Sequence, residues 1–587
     1  FTKYAEGGAN IATDGHTYYG NVFGGGSGSV PYFDTQQGVS RYVSSAGMVK
    51  GNTKVTISGG HILTNVYGGC EATNVLGSAT ITMTGGTVGV PRTLEQIVAH
   101  PVTCYIFGAG KGDQRIFFNK ETNVDRTTVS IEGGKVYGSV FGGGEDGHVF
   151  QNTTVNIGTT EGEGPTIGTL GTSYVDGNVF GGGRGFGGEA LTAGNIGGSV
   201  ELNVKSGKIL GSVYGGGRLA SVGYGLYLVD EEIEEGGEAI KPYGILRPND
   251  KYDGSYPDPS TDPASTYYNK GRGYITINIS GGTIGNDLEY IYNPTADQKA
   301  AIPNTTFDYQ NHLQYTKGGN VFTGGMGRLY ALDGTTLLPI WSKLGKCKGT
   351  TLNMTGGIVK SSIYGGGEIG AVAENATVNI NGGTVGTKVV DSEDATKYYY
   401  FGSVFGGGKG SVDNITYPST TPEEEQIPIS EAGTTGGNVQ VNLNQAVASD
   451  DDAKGAIVRQ VFGCNDMNGS PKGTVTVHVY ATQNADKDKI SVKPDKETET
   501  FDVEAVYGGG NLAAYEPTNL ETGEAKVIID GCGLTSIRQV YGGGNAASTP
   551  ATDVEVNGTY EILELFGGGN GYDKLPNGSD NPGANVG

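Results

Sequence analysis

The sequence predicts an all-β chain, a parallel β-solenoid (β-helix) of about 12–14 rungs with inserted loops. Three observations predict it. A phrase of the form Val-Phe-Gly-Gly-Gly, first met at Val22–Gly26, recurs about thirteen times. Most copies follow a second phrase in which Val or Ile alternates with Thr, Ser or Asn, as in Thr53–Gly60, Thr128–Gly134 and Thr377–Gly383. Helical periodicity is absent almost everywhere.

The alternating phrase has the period of a half-buried strand, and β-branched residues suit a pleated surface. Its closing Gly-Gly pair ends the strand and allows a corner, because glycine accepts positive φ. A shorter strand follows, as at Thr87-Val88, Lys135-Val136, Lys208-Ile209, Thr283-Ile284 and Thr384-Val385, and then the Val-aromatic pair and its triplet. The closest tandem copies, Tyr541 and Phe566, are 566 − 541 = 25 residues apart, which fits one solenoid rung. Rungs stacked at ~4.8 Å would make a single solenoid over residues 1–587, roughly 60 Å long.

Stacking sets equivalent residues above one another. The expected aromatic ladder is Phe23, Tyr67, Phe107, Phe141, Phe180, Tyr214, Phe322, Tyr364, Phe405, Phe462, Tyr507, Tyr541 and Phe566. Beside it runs an aliphatic ladder that begins Val22, Val66, Ile106, Val140, Val179. Neighbours on a strand point to opposite sides, so one ladder fills the core, and the aliphatic one is placed there because it matches the Val/Ile character of the first strand. The aromatics either stack on the outer face or tuck into the glycine corner. The corner glycines are Gly24, Gly68, Gly108, Gly142, Gly181, Gly215, Gly365, Gly406, Gly463, Gly508, Gly542 and Gly567, with Thr323 as the exception. Ala109, Cys464, Cys70 and Asn465 replace later triplet positions, so only small residues or Asn occur there, as a tight bend or a close approach between rungs requires.

Uneven spacing marks insertions at about 218–273, 286–317, 327–348, 410–437 and 481–502. The first carries the acidic run Asp230–Glu235, and the second a short helical pattern near Ala296–Ala301. Loops of this kind often carry a solenoid's binding surface.

Glycine contributes 106 of 587 residues and the formal net charge is −23. Such a surface repels nucleic acid and anionic lipid. No apolar run is long enough for a membrane-spanning helix. With neither an initiator Met nor a signal peptide, Phe1 reads as the start of a processed or excised segment. The five cysteines, Cys70, Cys104, Cys347, Cys464 and Cys532, are unevenly placed and read as small buried thiols, without a disulfide framework or zinc spacing.

Chemistry-bearing residues are sparse. The six histidines, His16, His61, His100, His148, His312 and His478, occupy unrelated repeat positions, and Glu145-Asp146-Gly147-His148 is the densest polar cluster after a triplet. The architecture resembles the pectate-lyase-like right-handed β-helix, which implies polysaccharide lyase or hydrolase chemistry; such enzymes gather acids and a base on one face. Here the strands present mostly Thr, Ser and Asn, so no catalytic residue is assigned and no enzyme activity is expected. Gly568–Leu575 resembles one nonapeptide of the calcium-binding β-rolls, making Asp573 the calcium candidate; it lacks the tandem neighbours with which that family shares each ion. Asp450–Asp452 reads as a solvated acidic loop. Thr53, Thr128, Thr154, Thr276 and Thr377 recur in the first strand without paired Thr-x-Thr columns, which argues against an ice-binding array.

The alternating phrase, the Gly-Gly-Thr-Val/Ile-Gly corner and the Val-Tyr/Phe-Gly-Gly-Gly triplet resemble the large repetitive surface proteins of Bacteroidetes-type bacteria, and repeat adhesins generally. The resemblance implies secretion, cell-surface display and a role in adhesion or a fibre, by end-to-end rung stacking or continuation in further repeats. The alternative is a carbohydrate- or host-surface-binding module using loop tyrosines, for which Tyr267, Tyr268, Tyr398, Tyr399 and Tyr400 are the candidates.

Overall fold

The computed structural model describes residues 20–28, 45–91, 104–112, 122–171, 176–185, 191–224, 272–286, 318–330, 336–387, 402–411, 415–423, 426–447, 455–482, 501–571 and 583–587, with isolated positions and the backbone of short paired strands between them. Within these residues the chain is a parallel β-solenoid. The Val-aromatic strands form a 13-stranded sheet whose strand order is the sequence order, from Val22–Phe23 to Glu561–Phe566. The alternating and short strands form a second, 20-stranded parallel sheet. No described helix is long and apolar enough to cross a membrane.

The alternation in the sequence fixes which side of each long strand faces in. In Thr53–Ile57 the burial alternates strictly, and Val129, Val155, Leu202 and Ile277 stand in register, each at 0% exposure. They belong to one continuous aliphatic core together with Val66, Ile106, Val140 and Val179, which places the aliphatic ladder inside as expected. Within one rung, the first threonine of the long strand donates to the first triplet carbonyl. Thr127 Oγ1 reaches Gly142 O at 2.7 Å and Thr350 Oγ1 reaches Gly365 O at 2.7 Å, tying the start of the coil to its end. Thr53 is one of these inward threonines, at 2.6 Å from Gly68 O, and so lies outside the outward column of Thr128, Thr154, Thr276 and Thr377.

The two glycine motifs work differently. The second residue of the Gly-Gly pair turns the corner in the left-handed region, at φ +82° for Gly134 and +83° for Gly383. That pair does not always end the strand: in Gly349–Val359 and Ala376–Val385 strand pairing resumes after it, with a register shift at Thr355. The triplet glycines have no positive φ; close approach requires them. A Cβ on Gly68 would lie 2.2 Å from Gly108 O, one on Gly108 2.1 Å from Gly142 O, and one on Gly142 2.2 Å from Gly181 O. At Thr323, where the other rungs have glycine, the hydroxyl donates to Tyr364 O of the next rung at 2.9 Å.

The aromatics fill a second core on the corner side of the sheet. All thirteen rings stack, with successive centroids 4.5–5.2 Å apart and interplanar angles of 2–19°. From Tyr67 to Tyr541 each is at most 4% exposed, so neither ladder lies on the surface.

All coil pairings are parallel, whereas the strands within insertions pair antiparallel, as hairpins do. Leu226–Val229 pairs with Ile245–Pro248, Thr306–Phe307 with Leu313–Gln314, and Ile490–Ser491 with Thr500–Phe501; Thr387–Val390 pairs with Tyr398–Phe401 in a further insertion that the spacing did not mark. The helical pattern near Ala296–Ala301 lies outside the described residues. The coil reclaims some insertion edges through single parallel bridges: Val222 pairs with Ile196, Cys347 with Val372, and Thr435 with Val372 and Pro471. The insertions at 327–348 and 410–437 pack on each other. Leu329, Leu338, Trp341 and Leu344 share a core with Ala432, and the Trp341 indole donates to Tyr417 Oη at 2.8 Å. Cys70, Cys104, Cys347 and Cys464 are free and buried, as read from the sequence; Cys532 is free but exposed.

Candidate functional site

The residue after each triplet forms a polar ladder beside the aromatic one. Its members include Glu71, Lys111, Glu145, Arg184, Arg218, Met326, Glu368, Lys409, Asp466, Asn511, Asn545 and Asn570. Neighbouring rungs pair along it: Glu71–Lys111 at 2.8 Å, Glu145–Arg184 at 3.1 Å and Glu368–Lys409 at 2.9 Å. Toward the C-terminal end it becomes an amide chain. Asn511 donates to Asp466, Asn545 to Asn511 and Asn570 to Asn545, at 2.8, 2.8 and 2.9 Å.

The ring ladder is matched to this polar ladder with an offset of two rungs. Tyr67 donates to Glu145, Tyr214 to Glu368 at 2.8 Å, and Tyr364 to Asp466 at 2.9 Å, each acid lying two rungs further along. Where the residue two rungs on is Lys111, Arg184, Arg218, Met326 or Lys409, the ring is Phe23, Phe107, Phe141, Phe180 or Phe322. Lys409 Nζ sits 5.9 Å from the Phe322 ring centroid, within cation–π range. At Tyr67, Tyr214 and Tyr364 the hydroxyl meets a buried carboxylate, and at Phe322 a cation meets the ring face; Tyr507, with Asn570 two rungs on, carries a hydroxyl without a carboxylate at that offset.

Asp466 is 6% exposed, and burial raises its pKa despite donors from Asn511 and Tyr364 and the nearby Lys409. A carboxyl raised above its unfolded value of 3.8 binds more protons in the folded chain, so stability falls as pH rises from there through the raised folded pKa. Asp466→Asn is expected to remove that slope in thermal melts across pH. Tyr364→Phe, which strips the carboxylate of one donor, is expected to cost about 1–3 kcal/mol by chemical denaturation. A neutral outcome for both would sink the pairing.

The Glu145–His148 cluster is part of this interior. Asp146 is fully buried, 3.3 Å from Arg184, and Glu145 is held by Arg184 and Tyr67. His148 Nδ1 lies 3.1 Å from Asn123 Oδ1, and burial pulls its pKa down to about 4. The described histidines are not brought together: His61 meets Gly89 O at 2.6 Å, and His478 pairs with Asp530 at 2.5 Å on another face. His16, His100, His312, Asp450–Asp452, Asp573, Tyr267 and Tyr268 lie outside the described residues; Tyr398, Tyr399 and Tyr400 are placed by backbone alone, in the hairpin with Thr387–Val390. Among the described residues no group of three or more His, Cys, Asp or Glu is arranged to hold a metal ion.

One repeated feature escaped the sequence reading. Asn156, Asn203, Asn278, Asn353, Asn379 and Asn442 stand in one column; Asn156 donates to Ser130 Oγ on the rung before, and each of the other five donates its amide to the carbonyl oxygen of the preceding asparagine. The asparagine-to-asparagine distances are 2.8–3.0 Å. Its signal was present, an Asn at the same place in six alternating phrases, hidden among interchangeable Thr and Ser.

Among the described residues the aliphatic and aromatic ladders end uncovered on the last rung. Leu565 and Phe566 are 46% and 43% exposed, whereas their counterparts Val540 and Tyr541 are 0% and 4% exposed. A Cβ on Gly567 would meet nothing within 4 Å, although it would be 2.3 Å from a carbonyl at the equivalent Gly542. Compared with protein-family models, with curated proteins and with solved structures, the chain matches none.

Proposed function

We propose that this chain is an extracellular structural protein of a fibre or filament, in which the last rung of one copy receives the first rung of the next. Gly567 carries the reading. Its glycine has no steric reason within the described chain, yet it is the residue that an adjoining rung would demand. A second copy of this chain fits as the occupant by its ladders. Leu565 and Phe566 would continue into Val22 and Phe23, which are themselves only half-buried, and the Gly567 amide would find the Phe23 carbonyl as Gly24 N finds Tyr67 O at 2.8 Å. Such a contact joins two different surfaces of the same chain, so it propagates as an open filament. Tyr67, Tyr214 and Tyr364 and the acids Glu145, Glu368 and Asp466 are engaged with one another inside the coil, which supports a structural role for them.

Sedimentation velocity and electron microscopy of the intact chain test this. The native chain is expected to form end-to-end particles, and Gly567→Val to shift them to single units that still unfold cooperatively. Monodisperse native particles at all concentrations would overturn the proposal.

A further inference from the structure

We propose that the coil wall at Arg218 is a binding site for a small oxyanion, a carboxylate, sulfate or phosphate group held by the Arg218 guanidinium. The inference is independent of the filament reading. Arg218 is 6% exposed, and its Nε atom is buried without a hydrogen-bond partner. No carboxylate pairs with it among the described residues, in a chain with 62 acidic and 39 basic residues. The neighbouring ladder places offer none: Arg184, one rung before, is committed to Glu145 at 3.1 Å and Asp146 at 3.3 Å, and the place one rung after is Met326. Arg328 adds a second positive charge, and burial together with that charge pulls the Arg218 pKa down to about 9.

Every other charge of this ladder that is less than 9% exposed has a counter-charge or a hydrogen bond on a neighbouring or nearby rung: Glu145 with Arg184, Glu368 with Lys409, Asp466 with Asn511. A buried charge without a partner is strongly disfavoured, far more than an exposed one. Arginine's planar fork matches an oxyanion in two parallel hydrogen bonds, with Nε as one of the donors. A ligand group would thereby complete the ladder where the chain's own sequence leaves it incomplete. Such a group arrives either on an acidic saccharide or as a free inorganic ion.

Thermal unfolding and titration calorimetry of the full chain, with sodium sulfate, phosphate and glucuronate against chloride at matched ionic strength, separate these sources. At least one oxyanion is expected to raise the melting temperature above the chloride control. Glucuronate acting alone assigns a saccharide, and sulfate or phosphate acting alone assigns an inorganic ion. Arg218→Met is expected to weaken binding roughly tenfold or more while remaining at least as stable as the native chain in chloride. Arg126→Met, at an exposed arginine, is expected to leave the response intact. If Arg218→Met does not fold, Arg218→Lys, which keeps charge but loses the fork, is expected to show a weaker response. Equal melting temperatures in all four salts, or a native-like response in Arg218→Met or Arg218→Lys, would overturn the site.

Discussion

Gly142→Val is expected to destabilise the coil by about 3 kcal/mol or more, read as a fall in the denaturant midpoint. The added Cβ would sit 2.2 Å from Gly181 O and 2.7 Å from a Val155 methyl, so both the next rung and the opposing strand would have to move. The neighbouring contacts are backbone and packed core, which yield little. Gly567→Val is the internal control, because the same change at the same repeat position has open space in the described chain. Equal losses at the two positions would show that glycine acts here through chain entropy rather than close approach.

Phe180→Ala is expected to cost about 3–5 kcal/mol, the range for emptying a buried aromatic site. Phe180 is 0% exposed and stacks on Phe141 at 4.5 Å and on Tyr214 at 4.8 Å, so its removal breaks two stacking contacts. Solenoid stability is close to a sum of rung and nearest-neighbour terms, so the damage should stay local. Amide hydrogen exchange is expected to speed up first around Val140–Gly142 and Val213–Gly215, whose amides bond to the adjoining rungs. A loss below about 1 kcal/mol would mean that the ring ladder is filler rather than a second core.

Much of this was legible in the sequence, and for definite reasons. A strand has period two, so Thr-Val-Ser-Ile at Thr128–Ile131 announced one buried face; repetition of that phrase before a constant Val-aromatic pair announced identical rungs. Parallel stacking in register then follows, because only that arrangement puts equivalent residues of a repeat in contact. All thirteen aromatics named from spacing stand in one stack. The reading was less complete for the polar residues. Period alone cannot say whether Phe107 or Tyr364 faces water or a second core, since both outcomes give the same alternation; what covers the far side of the strand decides it.

The repeat, the rung and the inward aliphatic row are local patterns of one or two strands, and residue order is enough to read them. How the ladders meet one another depends on the folded stack. The tyrosine at Tyr67 answers Glu145, and the phenylalanine at Phe322 answers Lys409, across two rungs and some eighty residues of chain. No sequence spacing expresses this two-rung offset, because insertions of unequal length separate the rungs. Likewise, Gly142 and Gly567 are the same residue in the same phrase; their difference lies in whether another rung is stacked above them.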